Sequence, residues 1–305
     1  MTDRPVDWTL APHRLDDRAV RHRYARAGKG LAHSVLLTEA RSRLLERLDY
    51  MRLAPRWVVD LGSATGAGAR ALARRYPHAR VVAVDVSRSR LAQVAPMRRM
   101  RLPFWKKPPH GVQADVPGMP LTSDSVDLVF SNLMLCALTD PEPVFAEVAR
   151  ILRPGGLFLF TTLGPDTFQE FRRAWAAVDD EPHVHPFLDM HDVGDALVRA
   201  RLADPVMDVE RLTFTYPDFP ALFGDLRQAG WGNSLIARHR GLTGRRRFES
   251  MQRHYLAQCP NESLDLSMEL VYGHAWAPDR SASTPRDHEV SVPLSSLRRN
   301  PRTRI

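Results

Sequence analysis

The sequence predicts an α/β fold with a doubly wound, mostly parallel sheet of seven strands and helical insertions. Three observations support this prediction. Short runs rich in β-branched residues alternate with helical patterns over residues 57–162, as parallel strands joined by crossover helices do. A turn of small residues follows the first run, and two long strand patterns near the end of the chain bracket a helical segment. The 305 residues suffice for a large core.

The first five strand patterns are WVVDL, RVVAVD, GVQAD, VDLVFSN and LFLFTTL, and the last two are PVMDVERLTFTY and LDLSMELVYGHAW. The final pair is expected at one edge of the sheet, where an antiparallel strand is an open alternative. Between the first five, GARALARRY and EPVFAEVARILR place apolar residues at helical spacing. Gly155 and Gly156 are expected to cap the second of these helices at its carboxyl end.

Helical patterns beyond Gly164 predict insertions around residues 165–200 and 217–260. Ligands of open α/β sheets bind outside the carboxyl ends of the strands, so these helices are expected to form a cap there. The proline-, serine- and arginine-rich residues 279–305 are expected to form a flexible tail.

Composition narrows the class of protein. No apolar run is long enough to span a bilayer, the N-terminus lacks the apolar core of a signal peptide, and the chain has only two cysteines. We therefore expect a cytoplasmic protein without a membrane partner. The net charge of +8 comes mainly from arginine clusters, which no nucleic-acid-binding motif accompanies, so no nucleic-acid partner is expected.

Small and acidic residues follow the predicted strands. The turn after the first strand reads Asp60-Leu61-Gly62-Ser63-Ala64-Thr65-Gly66, in which glycine permits a tight turn and close approach of the backbone to a ligand. Asp85 ends the second strand, where a carboxylate can accept hydrogen bonds from ribose hydroxyls or cap the next helix. If Ala64 has a positive φ, its methyl group costs on the order of 1 kcal/mol.

These landmarks, in this order, resemble the motifs of class I S-adenosylmethionine-dependent methyltransferases, which have a Rossmann-like fold. The resemblance implies S-adenosylmethionine as cofactor and places Asp115 beside the adenine amino group. The cofactor-binding residues that it implies are Asp60, Gly62, Ser63, Ala64, Gly66, Asp85, Val86, Asp115, Val116, Ser131 and Asn132.

Longer stretches resemble one family more specifically. SNLMLCALTDPEPVFAEVARILRPGGLFLFTTLGPDTFQEFRRAW, HVHPFLDMHDVGDALVRARLADPVMDVERLTFTYPD, DLRQAGWGN, RGLTGRRR and LVYGHAW are similar to the proteobacterial malonyl-acyl-carrier-protein O-methyltransferases of biotin synthesis. The resemblance covers residues 41–278 and implies methyl transfer to the free carboxylate of malonyl carried on acyl carrier protein. It also implies that residues 1–40 form a helical lid over the cofactor.

The implied reaction needs positioning groups more than a base, because a malonyl carboxylate is ionised at neutral pH. Arginine, histidine, tyrosine or asparagine donors can hold a carboxylate. Family-motif matches nominate His185, His191, Arg227, Asn233, Tyr272 and His274, although Arg227 is also compatible with a structural ion pair. The segment Arg98–Lys107 is a candidate rim for the acidic carrier protein, with plain solvation as the alternative. The histidine-rich segment fits no standard zinc spacing, so no metal is expected.

The chain departs from the family around the cofactor. The N-terminal signature retains Tyr24, Arg26 and Ala27, whereas Gly28, Leu31 and Leu37 replace its alanine, tyrosine and glutamine. Ser63 and Ala64 replace the usual Cys-Gly. Two alternatives therefore stay open: a related protein-modifying enzyme that hydroxylates arginine during respiratory complex assembly, and a non-catalytic paralogue that acts as an interaction module. The sequence does not indicate the oligomeric state.

Overall fold

The structure is a computed structural model that describes residues 14–27, 34–94, 108–116, 118–259 and 263–279. Its strands are β1 (Trp57–Leu61), β2 (Arg80–Asp85), β3 (His110–Gln113), β4 (Val126–Asn132), β5 (Leu152–Leu163), β6 (Ala203–Tyr216) and β7 (Leu264–Trp276). Its α-helices are α1 (Asp17–Arg26), α2 (Val35–Arg47), α3 (Ala67–Arg75), α4 (Arg88–Leu91), α5 (Glu142–Ile151), α6 (Gln169–Ala176), α7 (Met190–Arg199), α8 (Phe219–Ala229) and α9 (Arg245–Leu256).

The strands form one seven-stranded sheet in the order β3-β2-β1-β4-β5-β7-β6. β1 pairs in parallel with both β2 and β4, and β4 pairs in parallel with β5. β7 runs antiparallel to both of its neighbours, β5 and β6. The predicted mostly parallel sheet is confirmed. Of the two last strands, which the sequence places at one edge, β7 is antiparallel to the rest of the sheet.

Helices cover both faces of the sheet. Successive side chains of a strand point to opposite faces, so each strand contributes to both of the cores that these helices build. In β1, Val58 packs into the core that α2, α3, α6, α8 and α9 build, whereas Val59 packs into the core under α5 and α7. Both valines are almost fully buried. The continuous apolar strand patterns therefore reflect burial on two faces, as in other parallel sheets.

The expected glycine cap at the end of α5 is wrong. The helix ends at Ile151, and Leu152 already has an extended backbone with φ −67° and ψ 131°. Gly155, with φ +73°, lies in a bulge where β5 skips register against β4. The amide of Gly155 donates to the carbonyl of Ala277 at 2.9 Å, and the amide of Ala277 donates to the carbonyl of Gly156 at 2.8 Å. The glycine pair thus serves sheet pairing with the end of β7.

The turn after α8 and the N-terminal segment meet above the carboxyl ends of the strands, whereas α7, which the sequence places in the cap, packs beside α5 against a face of the sheet. Leu15 forms an isolated antiparallel bridge with Leu235, supported by an Asp16 amide to Ser234 carbonyl bond of 2.8 Å. α2 runs without a break across residue 40, where the sequence places the end of the lid. Gly28, Leu31, Arg98–Lys107 and the tail from 280 onward lie outside the described residues.

None of the helices that the structure describes combines the length and the apolar composition required to cross a bilayer.

Candidate active site

A cavity of about 1260 Å³ opens at the carboxyl ends of the parallel strands. Gly62 after β1, Asp85 at the end of β2 and Asn132 at the end of β4 line its sheet side. His185 and Arg227 line its cap side. The cavity therefore joins the predicted cofactor loop to the predicted substrate cap, at the place where open α/β sheets bind ligands.

The turn after β1 depends on left-handed backbone conformations. Gly62 has φ +71° and Gly66 has φ +76°, and side chains at these positions would meet Met134 and Val94. Ala64 also has a positive φ, +50°. For a residue with a Cβ atom this conformation costs roughly 1 kcal/mol, so the backbone of the turn is strained at Ala64.

Asp85 holds this turn in place. Its Oδ2 accepts a hydrogen bond from the Ala64 amide at 2.8 Å, and its Oδ1 accepts one from the Ser87 amide at 2.8 Å. Its side chain is 3% exposed. The sequence allows two roles for Asp85, acceptor of ligand hydrogen bonds and cap of the next helix. Its position in the structure is compatible with both.

Helix α1 contributes two further donors to the cofactor side. The Tyr24 hydroxyl donates to Asp85 Oδ2 at 2.7 Å, and Arg21 forms an ion pair with Asp115. The buried guanidinium of Arg90 lies 3.2 Å from the centroid of the Tyr24 ring. Both acids that the resemblance assigns to the nucleoside are therefore in contact with α1.

Asp60 is the most perturbed carboxyl group in the cavity. Burial, reinforced by the nearby charge of Asp85, raises its pKa from 3.8 to about 7, against a backbone hydrogen bond from Ala69 and the charges of Arg41 and Arg70. Its Oδ2 is buried and has no hydrogen-bond partner within the described residues. This oxygen is available to a ligand with a donor or a positive charge.

The other cofactor-side residues divide into two groups. Ser63, Val86, Val116 and Asn132 line the cavity, and Ser63 Oγ is buried without a described partner. The Asn132 side chain donates to the Leu37 carbonyl at 3.3 Å and accepts from Thr161 at 2.9 Å.

Gly66 and Ser131 do not line the cavity. The Ser131 hydroxyl is fully buried and donates to the Leu61 carbonyl at 3.0 Å, so it joins the ends of β4 and β1.

His185 lies in the cap wall of the cavity. Its Nε2 accepts a hydrogen bond from the Ser234 amide at 3.0 Å, so the neutral ring carries its proton on Nδ1. Burial, together with the charge of Arg23, lowers the pKa of His185 to about 4. At neutral pH His185 is therefore an uncharged group that has one N–H left to donate.

Arg227 and Asn233 also line the cavity but differ in whether their polar groups already have hydrogen-bond partners in the protein. The Asn233 amide donates to the Pro182 carbonyl at 2.6 Å and its oxygen accepts from the Leu235 amide at 3.1 Å. Arg227 is exposed and has no polar partner in the described part of the chain. The guanidinium of Arg227 is thus free for a ligand, whereas most of Asn233 is used within the cap.

The structure does not bring His191, Tyr272 and His274 to the cavity. His191 is exposed in the first turn of α7. Tyr272 and His274 lie on β7, where the Tyr272 hydroxyl donates to Glu210 at 2.7 Å and Arg47 lies 3.7 Å from the Tyr272 ring centroid. Burial and the charge of Arg47 lower the pKa of His274.

Aromatic side chains form the apolar wall of the cavity. Phe168, Phe171 and Trp175 are all at most 9% exposed. They also line the cavity, next to Trp231. This wall gives the cavity an apolar side between the turn after β1 and the cap.

Arg21 and Arg41 are cavity residues that the sequence reasoning missed. Arg41 lies one helical turn after Leu37 on α2, and both line the cavity. Arg21 precedes Tyr24 by three positions on α1, so the two share a helix face. Helical spacing from Leu37 and Tyr24, already singled out in the sequence, would have found both arginines.

The sequence matches a family model described as a methyltransferase domain over residues 59–160. A malonyl-[acyl-carrier protein] O-methyltransferase from Gallionella capsiferriformans is 40% identical over 270 residues, which cover 87% of this chain and 92% of the relative. A malonyl-[acyl-carrier protein] O-methyltransferase from Laribacter hongkongensis is 44% identical over 257 residues, covering 83% and 85%.

Solved structures share the fold. A candidate methyltransferase from Bacillus halodurans C-125 superposes with a TM-score of 0.55 at 18% identity, covering 79% of this chain and 100% of the other. The YcgJ protein from Bacillus subtilis also gives a TM-score of 0.55, at 15% identity, covering 78% and 99%. At these identities the likeness supports the fold alone.

Proposed function

Since the chain belongs to the malonyl-[acyl-carrier protein] O-methyltransferase family, we propose that it methylates the free carboxylate of malonyl carried on acyl carrier protein, with S-adenosylmethionine as methyl donor. One observation carries the proposal: a single cavity joins the turn after β1 to His185 and Arg227 of the cap. The resemblance implies that the methyl ester enters biotin synthesis.

The floor of the cavity fits the cofactor. S-adenosylmethionine supplies an electrophilic methyl group on a sulfonium centre, and its methionine part carries an ammonium group. Asp60 Oδ2 and Ser63 Oγ are buried there without described partners, so they offer acceptors for such groups. Gly62 lines the cavity, and a side chain at this position would collide with Met134, so the turn presents backbone there.

Asp85 can accept only a limited number of further hydrogen bonds from ribose hydroxyls. A carboxylate oxygen accepts about two hydrogen bonds. Oδ2 already accepts from Tyr24 and Ala64, whereas Oδ1 accepts from Ser87 alone. One hydroxyl can therefore bind directly, and a second must replace the Tyr24 hydroxyl, which is the only side-chain donor of the three.

The cap residues act by orientation and exclusion of water. The substrate carboxylate is ionised at neutral pH, so no residue has to remove a proton. The neutral His185 can donate from Nδ1, and Arg227 at the mouth presents a bidentate fork. The aromatic wall keeps the site dry, which strengthens these interactions.

Transfer of a radiolabelled methyl group from S-adenosylmethionine to purified malonyl-acyl carrier protein tests the proposal. We expect labelled carrier protein whose label is released by an esterase, as a methyl ester requires. Acetyl-acyl carrier protein, which lacks the free carboxylate, is the matched negative control. Calorimetry with S-adenosylmethionine is run in parallel, and cofactor binding without any labelled carrier protein would reject the proposal.

A further inference from the structure

A second pocket of about 790 Å³ lies beside the main cavity, between α1 and the turn that follows α8. The two pockets share Arg18, Arg227 and the turn Gly230–Gly232 as walls. The lining of the second pocket is strongly basic: it includes Arg18, His22, Arg23, Arg26, Arg227 and Arg238. We call it the basic pocket.

The basic pocket has almost no anion of its own. Within the part of the chain that the structure describes, Asp16 is the sole acid in its lining, and this carboxylate already pairs with Arg238 at 3.0 Å and accepts the Ala19 amide as the cap of α1. Among the described residues, no hydrogen-bond acceptor or carboxylate contacts the guanidinium groups of Arg18, Arg23, Arg26 and Arg227. Clustered arginines without counterions in a concave site are arranged to receive an anion.

Arg23 shows that this arrangement is held at an energetic cost. Burial and the charge of Arg238 lower the pKa of Arg23. A side chain at Gly232 would meet the Arg23 guanidinium, so glycine at this position lets the charged group pass close to the backbone. The structure thus keeps a half-buried cation beside a second cation, a configuration that a bound anion stabilises.

Helix α1 directs two different faces to the two pockets. Tyr24 and Arg21 face the main cavity, whereas Arg18, His22 and Arg26, spaced four residues apart, form a stripe in the basic pocket. Arg23 also acts on His185 of the main cavity through its charge. An extended ligand can therefore place one group in the main cavity and an anion in the basic pocket.

We propose that the basic pocket binds the phosphodiester through which the phosphopantetheine arm is attached to the carrier protein. This inference rests on the proposed function, which places the malonyl end of that arm in the main cavity. A phosphodiester is a compact anion with several acceptor oxygens, and guanidinium groups bind such oxygens in pairs. The thioester arm then runs from the basic pocket past Arg227 toward His185.

The test compares two substrates that differ in the phosphodiester. We expect Arg26→Gln, at a residue that lines the basic pocket but not the main cavity, to raise KM for malonyl-acyl carrier protein about tenfold, with kcat unchanged. KM for malonyl-pantetheine, which lacks the phosphate, should not change. The matched control is Arg56→Gln, at an exposed arginine that precedes β1 at the opposite end of the strands. An unchanged KM for the carrier protein, or an equal rise for both substrates, would overturn the assignment.

Binding measurements separate this inference from the proposed function. Calorimetry of the full-length protein with holo- and apo-carrier protein needs no turnover, so it decides the inference even if no methyl transfer is found. We expect Arg26→Gln to weaken only the binding of the holo form, which carries the phosphopantetheine. Equal weakening of the apo form would mean that the arginines contact acidic side chains of the carrier protein, and would reject the phosphodiester assignment. If Arg26→Gln does not fold, Arg26→Ala is measured in the same way.

Discussion

The two sides of helix α1 differ in how their charges are satisfied. On the cofactor side, the carboxylates at the strand ends have internal partners: Asp85 accepts from Tyr24, and Asp115 pairs with Arg21. On the side of the basic pocket, Arg18 and Arg26 have no described anionic partner. A ligand of Asp85 Oδ2 or Asp115 must exchange contacts that the protein already makes, whereas an anion in the basic pocket gains contacts that the protein lacks.

The largest effect is expected from Asp85→Asn, which removes the carboxylate at the end of β2. Charge-assisted hydrogen bonds contribute roughly 1.5 kcal/mol or more each, so the loss of two ribose contacts should weaken S-adenosylmethionine about 100-fold in calorimetry. Asp49→Asn, an exposed acid paired with Arg75, is the matched control. Affinity within about threefold of the unmodified protein would mean that Asp85 serves only the turn after β1.

Asp60 provides the next test, through pH. Its folded-state pKa of about 7 lies above the ordinary value of 3.8 for an aspartate, so the folded protein binds this proton more tightly than the unfolded chain. The stability associated with the proton is present at low pH and is lost as pH rises through 7. Without cofactor, Asp60→Asn should therefore become more stable relative to the unmodified protein by ~2 kcal/mol between pH 5.5 and 8.

Urea unfolding at both pH values measures this difference. Asp49→Asn again serves as the control, and its stability relative to the unmodified protein should stay constant over the same range. A pH-independent difference for Asp60→Asn would contradict the raised pKa.

Ala64→Gly tests the strain in the turn after β1. Removal of the methyl group relieves roughly 1 kcal/mol of left-handed strain, which the greater freedom of glycine in the unfolded chain partly offsets. We expect a net gain in unfolding free energy of at most ~1 kcal/mol, read from urea midpoints. Ala69→Gly, in the interior of α3, is the matched control and should lose stability. A destabilised Ala64→Gly would show that the methyl group makes contacts that outweigh the strain.

The smallest effect is expected from Tyr24→Phe, which removes only the hydroxyl that contacts Asp85. If the ribose competes with this hydroxyl, the variant should bind S-adenosylmethionine about two- to threefold more tightly in calorimetry. The ring remains in contact with Arg90, so the position of α1 should be preserved. Tyr50→Phe, at a side chain that is 90% exposed, is the control. Weaker binding would identify the hydroxyl as a ligand contact.

Local patterns predicted most of the fold, because strands buried on both faces and amphipathic helices are encoded over short windows. The order of the cofactor-side motifs likewise located Asp85 and the turn around Gly62. The partners of the charges were not predictable, since they join residues far apart in sequence: Tyr24 and Asp85 are 61 positions apart, and Asp16 and Arg238 are 222 apart. The bulge at Gly155 was missed because a helix cap and a bulge both select glycine with positive φ.

The backbone bridge between Leu15 and Leu235 has a consequence for the modularity of the protein. The amide of Asp16 bonds to Ser234, and the amide of Ile236 bonds to the Arg14 carbonyl, so each segment completes the hydrogen bonding of the other. A chimera that exchanged the cap but kept the original N-terminal segment would place unmatched backbone groups against each other. The cap and the N-terminal segment therefore have to be replaced together in a chimera and have to change together in evolution, although 220 positions separate Leu15 from Leu235 in the chain.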